Sequence, residues 1–436
     1  MSDPNSQPPA SPEPIAPLPA DGQPAPNPRP PGPDSHRSPL QEIAVVFLRL
    51  GSVAFGGPAA HVALMEEEIV TRRRWLSREQ LLDLMGVTNL LPGPNSTELA
   101  IHIGYERAGW PGLWVAGSCF IAPAMAAVWL LADLYQRSQS LPQLEAGLYG
   151  IKPVIIAVIL QALWKLGKKA LTDRLTWGAG LLSLVGYLLG WNEIGLLVGL
   201  GLGVMVWRQH GILASFLGGI AGATGSRFLG PNFPVVLGQS STSAAASAAT
   251  SASALSPATI GPPWPQIFLL FLKVGSVLYG SGYVLLAFLQ RELVDRRGWL
   301  TTQTLMDAIA VGQLTPGPVL TTATFIGYVL GGAKGAIAAT IGIFLPAFLL
   351  VGLVNPWVPK LRQSPWTGGF LDGVNGASLG LMAGVTVTLG RSALVDPWTL
   401  ALAVLGGLLV FRWQVNSGLL VLGGGAIGLG LAWLGG

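Results

Sequence analysis

The chain repeats itself. Slid along by 224 positions, residues 47–97 fall on residues 271–321 with 21 of 51 identical. FLRLGSVAFGG meets FLKVGSVLYGS, and LLPGPNST meets LTPGPVLT. After Thr97 the offset falls to 223, and the echo continues. His102–Tyr105 (HIGY) meets Phe325–Tyr328 (FIGY), and Ile121–Ala124 (IAPA) meets Phe344–Ala347 (FLPA). Two copies of one unit must therefore make the fold. In membranes such duplication is a common plan for carriers.

Composition sets the solvent. Charged residues are 11% of the chain and hydrophobic residues 50%, where a soluble domain carries roughly 25% charged. Mean hydropathy is +0.54. Apolar runs recur from residue 41 to the C-terminus, several near the roughly 20 residues that span hydrocarbon. The expected class is an all-α polytopic protein whose main partner is the lipid bilayer. The 59 glycines and 34 prolines suit broken helices, which membranes tolerate where neighbours satisfy the backbone.

The same numbers exclude other classes. A net charge of +4 does not point to nucleic acid, because the basic residues sit in short loops between apolar runs. Cys119, the single cysteine, excludes an intramolecular disulfide and a cysteine-only metal cage. The four histidines are scattered. HExxH, a Walker A loop and a nucleophile elbow are absent. No metal, cofactor or enzymatic activity is expected.

Four regions follow. Residues 1–38 hold thirteen prolines and little apolar bulk, a composition that cannot bury a core. They lack the apolar stretch of a signal peptide. Residues 39–228 form the N-terminal repeat and 265–436 the C-terminal one. Between them, 229–264 is a flexible linker, Ser/Ala-rich and uncharged.

Each repeat opens with four short apolar pieces. In the first they are 41–54, 59–71, 79–91 and 96–109, interrupted at FGGP (55–58) and LPGPN (91–95). Each piece spans roughly 16–20 Å, half a bilayer. The reading is two helical hairpins whose tips meet near the midplane. The alternative is two ordinary kinked spans, 41–65 and 81–108. Longer spans follow at 112–134, 147–164, 175–190 and 192–207, and again at 335–354, 368–389, 397–411 and 415–434. The first repeat has an extra apolar run, 211–228. It makes five crossings between the two hairpin sets, and an odd number predicts inverted repeats.

Loop charges agree once Arg72–Arg74 are placed in the cytoplasm. Lys165, Lys168, Lys169, Arg174, Arg208, Lys360, Arg362 and Arg412 then fall inside. Arg296 and Arg297 resist, falling outside beside Glu292 and Asp295. Parallel repeats would place that loop inside, and remain the alternative.

The segments FGGPAAHVALMEEE-V-RR-WL, LLPGPNSTELAIHIGY, LYGSGYVLLAFLQRELV and QLTPGPVLTTATFIGY resemble the signature segments of the chromate ion transporter family, in its long two-domain form. The resemblance covers roughly residues 40–434. It implies a secondary transporter of the bacterial inner membrane that exports chromate and confers chromate resistance. Some relatives in the family are linked to sulfate, so sulfate or another oxyanion is the alternative substrate. Internal duplication removes the need for a dimer; the oligomeric state stays open, a homodimer included.

Elementary chemistry suits such a guest. A tetrahedral dianion needs hydrogen-bond donors and positive potential, and half-helix N-termini supply both. Helices starting after Gly57–Pro58 and after Pro94 would do so, with Gly56, Gly57, Pro92 and Gly93 giving close backbone approach. Asn95, Ser96 and Thr97 add side-chain donors, and His61 follows closely enough to line the same place. In the second repeat Gly280, Ser281, Pro316, Gly317, Pro318 and Thr321 stand at matching positions. One PGP is most often a turn; two at one offset inside apolar sequence is a far stronger signal.

Charges inside apolar runs complete the candidates. Arg49 and Lys273 are equivalent and face either an anion pathway or the nearby interface. Lys152 carries the same two readings. Glu98 and His102 lie four apart on one helix face and are candidates for proton coupling, or for a structural pair. Glu66–Glu68 with Arg72–Arg74 make a mixed-charge loop that is a topology signal or an anion-gathering vestibule. Asp83 and Asp307 recur at equivalent positions, to cap helices or pair with loop arginines.

Overall fold

The structure is a computed structural model. It describes residues 38–55, 58–88, 91–138, 142–221, 261–279, 282, 284–355 and 365–435. The tail (1–37), most of the linker, and Gly56, Gly57, Gly280 and Ser281 lie outside the described residues.

Every described element is helical. Ser38 starts α1 (Pro39–Val53) with a capping box: its hydroxyl accepts from Gln41 N, and the Gln41 side chain accepts from Ser38 N. Pro39 stands in the first turn, where a missing N–H loses nothing. The chain breaks after Val53 and resumes as α2 (Pro58–Met65), which widens into a π-helical turn over Glu66–Arg72. Then come α3 (Arg78–Thr88), a second break, and α4 (Asn95–Arg137). The first repeat finishes with α5 (Pro142–Ala170), α6 (Arg174–Leu188) and α7 (Glu193–Ala221).

The second repeat copies this order. It has α8 (Trp264–Val277), α9 (Leu285–Leu289) with its own π-helical turn Gln290–Arg296, and α10 (Thr302–Leu314). One 3₁₀ turn, Val319–Thr321, leads into α11 (Thr322–Val354). The last three are α12 (Pro365–Ala393), α13 (Pro397–Trp413) and α14 (Ser417–Gly435). Asp173 and Asp396, 223 residues apart, each open α6 or α13 with a capping box to a threonine, Thr176 or Thr399.

Side-chain contacts show how the chain folds back. Glu42 and Arg73 would lie ~45 Å apart on one continuous helix, yet their charged groups are 2.9 Å apart. Arg107 stands over the Trp75 ring at 5.0 Å, which returns α4 to the level of the π-helical turn. In the second repeat Lys273 meets Glu292 at 2.6 Å.

α4 and α11 are each two arms. At Ala108 (φ −149°, ψ 26°) and Gly109 (φ 60°, ψ −147°) α4 reverses; α11 does so at Gly331 (−146°, 22°) and Gly332 (60°, −150°). Thr324 and Thr340 would stand ~24 Å apart on one straight helix, but their hydroxyls are 2.8 Å apart. Glycines let the arms close. A Cβ on Gly112 would stand 2.1 Å from the Gly104 carbonyl oxygen, and one on Gly335 2.1 Å from that of Gly327. Close backbone approach through small residues is how helices associate in lipid.

The repeats interlock by exchange. α5 packs on α13 and α14, while its equivalent α12 packs on α6 and α7. Gly150 meets Gly424 and Gly428 of α14; its counterpart Gly373 meets Leu200 and Gly201 of α7. At the centre α4 lies on α11. Their second arms run antiparallel, with Trp110 on Gly352 and Trp114 stacked on Phe348 at 4.8 Å.

One expectation fails. The run 211–228 is not a separate crossing as far as it is described: the helix that begins at Glu193 continues without interruption to Ala221. Trp207–Arg208–Gln209–His210 carries polar residues but no glycine or proline, so nothing there breaks a helix. Counting five crossings therefore loses its premise. Five helices among the described residues are long and apolar enough to cross a membrane, two of them the folded-back α4 and α11.

The arm turns give a stability test. Gly112→Ala and Gly335→Ala should each destabilise the protein by about 1–3 kcal/mol, the usual range for overpacking. Gly167→Ala meets nothing within 4 Å and should leave the midpoint unchanged or slightly raised. Thermal unfolding in detergent measures all three.

Candidate functional site

The breaks of the two repeats touch. Gly317, centre of the second PGP, donates its N–H to the Ala54 carbonyl at the end of α1, at 2.8 Å. Its φ is +95°, a region that favours glycine, and a Cβ there would stand 2.7 Å from Ala124 Cβ. The mirror contact is made by Gly93, whose Cβ would lie 3.3 Å from Ala347 Cβ, the equivalent of Ala124. Tyr279, in the break after α8, lies within electrostatic reach of Glu98.

In the first repeat a histidine ties the two breaks together. His61 stands one turn into α2 and is 1% exposed. Its Nε2 lies 3.0 Å from the Ala54 carbonyl and its Nδ1 3.2 Å from Ser96 Oγ. A carbonyl only accepts, so Nε2 carries the proton; in the neutral ring Nδ1 then accepts from the serine hydroxyl. Phe120 packs edge-on against the ring. Leu285 and Leu320 hold the equivalent places in the second repeat, both buried.

Helix starts follow the prolines. Pro58 is the first residue of α2, whereas Pro94 and Pro318 are N-caps, of α4 and of the 3₁₀ turn before α11. Pro94 O accepts from the amides of Thr97 and Glu98. Ser96, Thr97, Glu98 and His102 are all buried. Among them Thr97 Oγ1, both Glu98 oxygens and His102 Nε2 have no hydrogen-bond partner among the described residues. The other His102 nitrogen, Nδ1, lies 3.2 Å from Asn355 Oδ1. Buried polar groups are normally satisfied, so these four atoms stand out among the described residues. Thr321, the mate of Thr97, instead donates to Pro318 O at 2.8 Å.

Other candidates sit elsewhere. Arg49 and Lys273 are exposed on α1 and α8. Lys273 pairs with Glu292, whose carboxyl is drawn up by burial but held below its usual range by Lys273 and neighbouring arginines. The mixed-charge loop is spent on itself: Arg72 pairs with Glu67, Arg73 with Glu68 and Glu42, and Arg78 with Glu66. Asp307 pairs not with a loop arginine but with Lys152 at 3.2 Å, and accepts from the Tyr135 hydroxyl at 2.9 Å. Sequence reasoning missed this pair because its members belong to different repeats; a lysine and an aspartate each inside an apolar run were the available signal.

Comparison with known proteins fits this architecture. The family model described as "Chromate transporter" matches residues 41–224 and 265–429, one match per repeat. The chain belongs to the chromate transporter family. The chromate transport protein of Cupriavidus metallidurans is 30% identical over 395 residues, covering 89% of this chain and 92% of that protein. A probable chromate transport protein of Synechococcus elongatus is 30% identical over 387 residues, covering 87% and 91%. An uncharacterized transporter of Bacillus subtilis, YwrA, matches over 125 residues, 29% of this chain but 70% of its own length. That relative is less than half as long as this chain, as a single repeat would be. No solved structure matches the chain significantly. As a chromate transporter family member with several apolar helices, the protein is a polytopic membrane protein.

The His61 joint can be measured. His61→Ala and Ser96→Ala should each destabilise by about 1–3 kcal/mol, the cost of leaving a buried polar partner unpaired. The double variant should fall short of the sum by about 0.5–3 kcal/mol, because the two share one bond. Strict additivity in unfolding midpoints would show that the bond is absent.

Proposed function

We propose that this protein is a secondary transporter that carries chromate out of the cell across the bacterial inner membrane, and so confers chromate resistance. The family and its relatives named as chromate transport proteins support the substrate. The observation that carries the mechanism is the hydrogen bond from Gly317 to Ala54, which joins the interruption of one repeat to that of the other. A site built there is shared between two halves that can rock against each other, as alternating access requires.

Inverted repeats fit the packing. Equivalent second arms of α4 and α11 run antiparallel. A two-fold axis relating them is then perpendicular to the arms, and in a membrane it lies in the plane. Arg296 and Arg297, awkward as outside charges, are paired with Glu292, which softens their weight as a topology signal.

The anion binds at the tips. Gly93 gives it close backbone approach and Thr97, whose hydroxyl has no partner among the described residues, gives it a side-chain donor, while His61, Ser96 and Gly317 hold the tips together through their own hydrogen bonds. Glu98 cannot stay ionised beside a dianion without strong repulsion. A proton on Glu98 when the anion is bound, lost when it leaves, couples the two movements. Outward movement of a dianion from a negative interior gains about 4.6 kcal/mol per 100 mV.

Everted membrane vesicles containing the protein should accumulate radiolabelled chromate saturably, with excess sulfate as the competing probe. Glu98→Gln should flatten the pH dependence of the rate. Uptake equal to empty vesicles rejects the transport reading; a pH profile unchanged by Glu98→Gln rejects the coupling role alone.

A further inference from the structure

Away from the tips, the described residues include two well-buried ion pairs that the proposed site does not use, Arg291 with Glu193 and Lys152 with Asp307; the second leads to a break. Asp307 lies in the middle of α10 and is 5% exposed. Lys152, ten residues into α5, reaches it at 3.2 Å, and Tyr135, near the end of α4, donates to its other oxygen at 2.9 Å. Both belong to the first repeat, so the pair bridges the halves. α10 then runs from Asp307 to Leu314 and ends at the PGP break, about 10 Å further on. Gln313, 8% exposed, lies on that path with its Nε2 unpartnered among the described residues.

Such a pair is hard to explain by stability. Desolvating two ions is often not repaid by their attraction, and apolar residues of like size would serve as well or better. The duplication sharpens the point. The first repeat keeps the acid, as Asp83, but the position equivalent to Lys152 holds Asn375. Lys152 is thus a repeat-bridging cation with no counterpart at the equivalent position of the other repeat. Ionisable groups inside membrane segments mark substrate or ion pathways more often than structure.

Resting on the oxyanion reading above, we propose that Lys152 is the fixed cation that neutralises the transported dianion, and that Asp307 is its resident stand-in. In the empty protein the aspartate holds the ammonium. When a tetrahedral oxyanion enters, it takes the ammonium from Asp307, and the Tyr135 hydroxyl keeps the released carboxylate solvated. The breaks supply dipoles and donors but no full positive charge. Arg49 and Lys273, two other cations within apolar runs, are exposed, and Arg291 is held by Glu193. Lys152 fills that need, and because it belongs to the opposite repeat from Asp307, binding is felt by both halves.

The test is anion binding to the purified full-length protein in detergent, followed by thermal shift and calorimetry with sodium chromate and sodium sulfate at constant ionic strength. Lys152→Gln should weaken binding by at least about tenfold, and Lys152→Arg should retain most of it. Asp307→Asn should bind several-fold more tightly, because the internal competitor is gone, while turnover in vesicles falls. A purely structural pair gives a different pattern: Lys152→Gln and Asp307→Asn both melt earlier and bind the anion as wild type does, which overturns the inference. Where Lys152→Gln does not fold, Asp307→Asn decides alone, since unchanged or weaker binding there also overturns it. Wild type blind to both anions would overturn the oxyanion reading and this inference with it. Binding by wild type with both variants unaltered overturns this inference only.

Discussion

A helix that stops inside hydrocarbon leaves amides and carbonyls with no water to meet them, and each unpaired group costs several kcal/mol. This chain stops helices four times within apolar sequence. Its answer is to let one repeat's loose ends satisfy the other's. Gly317 N–H goes to Ala54 O across the repeat boundary, and the same carbonyl faces His61 Nε2. The contact between the breaks therefore crosses the repeat boundary, alongside the His61 link inside the first repeat.

The rest of the packing follows. Once the breaks are joined, α4 must lie on α11, and α5 with α12 must cross to the opposite repeat to cover them. Helices in lipid gain no hydrophobic drive from each other, so they close through small residues. Gly150 on Gly424 and Gly373 on Gly201 are such contacts, made twice by symmetry. The two π-helical turns, Glu66–Arg72 and Gln290–Arg296, recur at the same offset. π-bulges are rare and gather at functional places; here each sits where a folded-back pair leaves the core for its charged loop.

Much of this was legible in the sequence, because it is written in residues that act locally. Clusters of glycine and proline interrupt helices, so the helix ends at Val53 and Thr88 and the starts at Pro58 and Asn95 could be placed within two or three residues. Repetition is visible without any structure. What escaped was decided by tertiary contact. α7 continues through Arg208, whose charge is met by Asp173 and Asp372. The outward turn of Arg49 depends on which face of α1 meets α4. The pairing of Lys152 with Asp307 joins residues 155 positions apart, and no periodicity carries that information.

The backbone is nearly two-fold; the side chains at its centre are not. His61 and Ser96 face Leu285 and Leu320 as their counterparts, Glu98 faces Thr322, and His102 faces Phe325. The orphaned polar atoms at the breaks gather on the first repeat, while Lys152 reaches across to the second. A site with equal polarity on both sides would hold an anion on the axis and give no direction to a bound proton. On the proposed alternating-access reading, a near-symmetric backbone would make the two access states alike in packing and so close in energy. On the same reading the asymmetric side chains would select the guest and what accompanies it, so that duplication supplies the hinge and divergence between the copies the chemistry.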